Sequence, residues 1–110
     1  MKIIVCIKQV LDTAAKVVIQ GEKIISPGSS LVMNPYDEFA VEEAIRIKTE
    51  NQESEITVLS MGPDSTKETL KRALAMGVDR AIHISVSSYE KLDHLQIAKI
   101  LSKAIEREPF

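Results

Sequence analysis

Three runs constrain this chain more than anything else in it: "KIIVCI" at residues 2–7, "EITVLSM" at 55–61 and "RAIHISV" at 80–86. Each is short, continuous and rich in β-branched residues, without the strict polar alternation of a half-solvated strand. That is the pattern of strands buried on both faces of a parallel sheet. Parallel neighbours need long crossovers, so the segments between the runs must carry covering helices.

Those helices are legible. The stretch "MNPYDEFAVEEAIRIK" at 33–48 opens with Asn34 as a candidate cap and Pro35 in the first turn, where its missing N–H costs nothing. Ala40, Val41, Ala44 and Ile45 form one apolar stripe. A second helix is expected from about Asp64 to Met76, capped within "DSTKE", with Leu70, Ala73 and Leu74 inward and Gly77 as a left-handed stop. A third starts near Leu92, turns Leu95, Ala98, Leu101, Ala104 and Ile105 inward and ends at Pro109. Residues 17–26, "VVIQGEKIIS", read as a small β-hairpin around Gly21-Glu22, an excursion outside the main sheet. The expected fold class is α/β: a Rossmann-like three-layer α/β/α arrangement on a mostly parallel sheet. The chain stops with no strand after its third helix, so the sheet is expected to be part of a larger one.

With 110 residues, 45% hydrophobic and 27% charged, the sequence describes one small globular unit. A formal charge of −2, with Lys and Arg scattered among Glu, argues against nucleic acid as a partner. The opening apolar run is too short for a signal segment or a membrane span, and the single Cys6 suits a reducing compartment, so a cytoplasmic location is the default.

The chemistry-bearing motifs are mostly negative. Neither G-x-G-x-x-G nor G-x-x-x-x-G-K-[ST] occurs. His83 and His94 lack companions at ligand spacing, so no metal site is expected. Glu42 and Glu43 diverge on their helix and cannot act as an acid–base pair. Cys6 is expected inside a buried strand as an inert thiol. No catalytic residue is expected.

What remains is position. Ligands of open α/β sheets sit outside the carboxyl ends of strands, near a switch in strand order. "CIKQV", "MNPYD" and "SMGP" all meet there, offering helix mouths suited to phosphates, hydroxyls or base edges, with Met61 and Gly62 letting a flat group approach. From the residues alone Asn34 is a cap or a ligand contact, Tyr36 a packing or a binding group, and Ser60–Pro63 a plain turn or a site wall.

"KIIVCIKQVLDT", "MNPYDEFAVEEAIRIK", "TVLSMGP" and "ALAMGVDRAIHI" closely resemble the beta subunit of electron transfer flavoproteins, in order and over nearly the whole chain. That resemblance implies an electron carrier rather than an enzyme. It implies a heterodimer with an alpha subunit that largely holds FAD and takes electrons from dehydrogenases, such as those acting on acyl-CoA. The beta subunit would be an adenine-nucleotide-binding α/β domain holding a structural AMP, or a second FAD in bifurcating members. A complete stand-alone nucleotide-binding module is the alternative reading. Carried over by position, the nucleotide contacts fall on Cys6, Asn34, Pro35, Tyr36, Asp37 and Met61. Thr13 would approach the partner's flavin. Beta subunits are about twice as long, so residues 1–110 are expected to be the N-terminal part of one domain, its C-terminal half and part of the pocket lying downstream. Such a chain is expected to expose a sheet edge and to self-associate.

Overall fold

Strand β6 (Glu55–Gly62) fills the middle of the structure, a computed structural model that describes residues 1–11, 18–20, 23–25 and 31–108. Every residue from Ile56 to Gly62 is buried. It pairs in parallel with β1 (Lys2–Cys6) on one side and β7 (Arg80–Ser85) on the other, in the order β1-β6-β7. The register sets Cys6 beside Leu59 and Met61 beside Ile84. Only β6 has the doubly buried character expected of all three runs. β1 and β7 border the described sheet and are half-buried, because each has a neighbour on one side only.

Two helices cover one face. α1 (Pro35–Glu50) lies on β1 and β6, and α2 (Thr66–Met76) lies on β6 and β7. Val41 and Ala44 from α1 and Leu70 and Ala73 from α2 form one buried cluster with Ile56 and Val58, and Ile3, Val5 and Ala81 pack against it. Side chains alternate along a strand, so Cys6, Met61 and Ile84 point to the opposite face. There they meet α3 (His94–Glu106), through Ile97 and Leu101 near Cys6 and Met61, and through Ile100 and Ala104 near Ile84. The result is three layers, α/β/α, as the sequence pattern requires. Two crossovers that step the same way put their helices on the same face, which is why no switch in strand order occurs within the described sheet.

The apolar stripes are narrower than expected. Ala40, Leu74 and Ala98 are exposed, and Leu95 is 64% exposed. No residue of α3 is fully buried. The helix starts also shift. α2 begins at Thr66 without a side-chain cap: Ser65 has a helical backbone (φ −58°, ψ −23°) rather than the extended one of a capping residue, and its hydroxyl donates to Gln9 Oε1 at 3.2 Å. α3 begins at His94 behind a full capping box: Asp93 accepts from the Gln96 N–H, and Gln96 accepts from the Asp93 N–H. Gly77 ends α2 at φ 121°, a backbone conformation that side chains disfavour.

Two further strand pairs stand apart from the sheet. β3 (Val18–Gln20) pairs antiparallel with β4 (Lys23–Ile25), in the expected hairpin register. Its turn, like Pro109, lies outside the described residues. The second pair was not foreseen: β2 (Gln9–Leu11) runs antiparallel to β5 (Leu31–Met33), with Gln9 opposite Met33.

Asp79 locks the lower edge of the sheet. Its Oδ2 accepts from the Ile56 N–H at 2.8 Å, its own N–H donates to Ile56 O at 3.0 Å, and its Oδ1 accepts from Lys48. The Lys48 hydrogen bond first, then that of Ile56, holds the carboxyl below its usual range. A depressed folded-state value stabilises the fold above the unfolded-state pKa of about 3.9, and that contribution is lost as pH falls through the folded value. Urea unfolding of wild type and Asp79→Asn at neutral pH and below about pH 4 should therefore show a stability gap that narrows with acid. A gap constant across that range would contradict the role of the ionised carboxylate.

Candidate functional site

The carboxyl ends of β1 and β6 open onto a cavity of about 230 Å³ lined by Cys6, Ile7, Lys8, Asn34, Asp37 and Met61, with Tyr89, Ile97 and Leu101 from the α3 side. Four of the six residues singled out from the sequence, Cys6, Asn34, Asp37 and Met61, thus line one cavity. Pro35 and Tyr36 do not line it. Both are exposed, Tyr36 by 80%, and their part is to build the turn behind Asn34. Thr13 lies outside the described residues.

Cys6 differs from expectation. It ends β1 and is exposed, rather than sealed inside a strand. Desolvation at the cavity wall still pushes its thiol up, and the nearby negative charge of Asp37 adds to the effect, so it is a poor nucleophile. Its backbone matters more. The Ile7 N–H donates to Leu59 O at 2.9 Å, and Cys6 is the residue in register with Leu59. In a parallel ladder the residue bracketed in this way makes no bond to that neighbour. The N–H and C=O of Cys6 therefore point away from β6, side by side, off the edge of β1 that has no strand partner among the described residues.

The helix mouths carry less anion-binding capacity than their sequences imply. At α1 the Tyr36 N–H donates to Asn34 Oδ1 at 3.0 Å, and the Asp37 and Glu38 N–H groups donate to Asn34 O at 2.8 and 3.1 Å. At α2 the N–H groups of Thr66, Lys67 and Glu68 go to Pro63, Asp64 and Ser65 carbonyls at 3.0–3.1 Å. The acids Asp37 and Glu38 already occupy the first turn of α1, where its dipole would otherwise favour a phosphate. With Oδ1 engaged, the donor side of the Asn34 amide is Nδ2, which has no partner among the described residues.

Lys8, unremarked in the sequence, holds this corner together. Its C=O accepts from the Asn34 N–H at 2.8 Å and its N–H donates to Asp37 Oδ2 at 2.7 Å. Burial raises the Asp37 carboxyl, with the Lys8 N–H and ammonium pulling the other way. Next to it, Gln9 Nε2 donates to Ser65 O at 3.0 Å, tying β2 to the start of α2. No sequence motif announces these contacts, because each joins residues far apart in the chain.

Gly62 sets how closely α2 approaches the end of β6. A Cβ there would sit 2.4 Å from Thr66 Oγ1, and the Thr66 side chain is fully buried. Gly62→Ala should lower the thermal midpoint by several degrees, consistent with an overpacking cost of about 1–3 kcal/mol. Adding Thr66→Ala, which deletes the obstructing hydroxyl, should recover part of the loss. Strictly additive losses in the two variants would rule out the contact as the cause.

Residues 23–110 match the family described as "Electron transfer flavoprotein domain". The chain is 43% identical over 110 residues to the "Electron transfer flavoprotein subunit beta" of Dictyostelium discoideum, covering 98% of this chain and 43% of that protein. It is 38% identical over 112 residues to the human protein of the same name, covering 98% and 44%. Against that of Syntrophomonas wolfei it is 40% identical over 108 residues, covering 98% and 42%. The chain thus spans less than half the length of these curated relatives.

Proposed function

The chain belongs to the electron transfer flavoprotein family, and from that membership we propose that it is the N-terminal part of a beta subunit whose α/β domain binds AMP. Its relatives' shared name, subunit beta, supports pairing with an alpha subunit. In this reading the alpha subunit largely holds FAD, and the assembled protein carries electrons from dehydrogenases, such as those acting on acyl-CoA, to an acceptor. This chain's share is structural and recognitional: it provides a nucleotide wall and catalyses no bond chemistry.

The observation that carries the nucleotide reading is the paired N–H and C=O of Cys6 beside the cavity. Adenine presents an acceptor at N1 next to a donor at its 6-amino group, and one extended residue offers the complementary pair. Asn34 Nδ2 adds a donor from the next wall, and the Met61 thioether provides a soft, polarisable surface for a ring face. Pro35 and Tyr36 complete the turn that aims Asn34. The occupied helix mouths argue that these residues read the base and contribute little to a phosphate.

Calorimetric titration of the beta subunit that includes the downstream half of the domain tests this directly. AMP and adenosine should bind within about tenfold of one another, because recognition lies in the base. IMP, which reverses both donor and acceptor at the recognised edge, should bind at least about tenfold more weakly, in line with the cost of leaving buried polar groups mispaired. Equal affinity for AMP and IMP, or no binding of AMP, would overturn the proposal.

A further inference from the structure

The two helices that flank the cavity begin differently, and the difference singles out Asp37. In α3 the third helical residue, Gln96, reaches back to the N–H of its own cap, Asp93, at 3.0 Å. That is the local use of a polar side chain at this position. In α1 the third helical residue is Asp37, and its cap is Asn34. Here the cap's N–H is already donated to Lys8 O, and the Asp37 carboxylate is turned to the Lys8 N–H, a residue 29 positions earlier.

Lys8 is thereby held through both of its backbone groups. It sits where the chain leaves β1 and enters β2, two residues after Cys6, and Asn34 sits where the chain returns from β5. The excursion between them is closed at its base by these two bonds. Ile7 is fixed to Leu59 on the sheet side. The remaining freedom is in the peptide unit joining Ile7 to Lys8, and Asp37 is the side chain that removes it.

Resting on the adenine-nucleotide reading, we infer that Asp37 is a positioning residue rather than a ligand contact: by holding the Lys8 N–H, it fixes the wall that presents the Cys6 edge to the base. The carboxylate makes this bond stronger than a neutral acceptor would. It also removes the Lys8 N–H from the donors available to a ligand. Sequence resemblance places Asp37 among the nucleotide contacts, whereas the hydrogen bonding gives its carboxylate a partner within the chain.

Two variants separate the possibilities. Asp37→Ala removes the acceptor, and Asp37→Asn keeps a side-chain carbonyl that can still accept from Lys8. In ligand-free protein, NMR hydrogen exchange should show the Lys8 amide exchanging at least about tenfold faster in Asp37→Ala. The Ile7 amide, held by Leu59, should be unchanged, which excludes general loss of structure. Asp37→Asn should restore most of the Lys8 protection. In the beta subunit that includes the downstream half of the domain, AMP affinity should follow the same order, falling about tenfold in Asp37→Ala and largely recovering in Asp37→Asn. Unaltered Lys8 exchange in Asp37→Ala would overturn the inference. So would an Asp37→Asn variant with restored Lys8 protection and AMP binding as weak as that of Asp37→Ala, since the charge would then act on the ligand itself. Failure of the wild type to bind AMP would sink the nucleotide reading, and the exchange data would still decide the clamp.

Discussion

Burial of β6 on both faces is the constraint from which the rest of the architecture follows. Val58 and Ile56 need cover on one side, and Leu59 and Met61 need it on the other. One helix layer cannot supply both. α1 and α2 answer the first need and α3 the second. Its parallel pairing then fixes where the neighbouring strands end, so that β1 runs out at Cys6, level with Leu59 and one position short of Ser60. The cavity is the space left where β1 has ended, β6 continues and α1 begins. Its location is a result of sheet register before it is a matter of any side chain.

Much of this was legible in the sequence. The three apolar runs became the three strands of the parallel sheet, and the order strand, helix, strand, helix, strand, helix held for those strands and their covering helices. Periodicity and β-branching report on local backbone preference, and these elements are governed by it. The misjudged features depend on neighbours. "KIIVCI" looks doubly buried by composition, yet its burial is set by its edge position in the described sheet. Cys6 looked internal for the same reason. "QVL" and "LVM" are three residues each, too short for a period, and pair only because the chain returns from an excursion. The capping box of α3 was readable as Asp93 followed three residues on by Gln96, a signal that its polar neighbours obscured.

The site shows the same division. Asn34 and Met61 could be placed by their positions at the ends of predicted elements. Lys8 could not, because its importance lies in two backbone groups and carries no side-chain signature. Sequence also overstated the helix mouths. It shows where N–H groups should lack helical partners and cannot show that turn carbonyls and Asn34 Oδ1 have taken them. The consequence is chemical. A corner suited by its sequence to phosphate is, by its hydrogen bonding, better suited to a base.

Under the proposed function, the outward-facing edge of β1 at Cys6 recognises an adenine ring. The most direct measurement is the backbone amide spectrum, as AMP is added, of the protein with the proposed downstream half of the domain present. The Cys6 amide proton should move downfield as a new hydrogen bond forms, with further shifts confined to Asn34, Met61 and their immediate neighbours. A saturable response centred elsewhere, with the Cys6 amide unmoved at full occupancy, would contradict it.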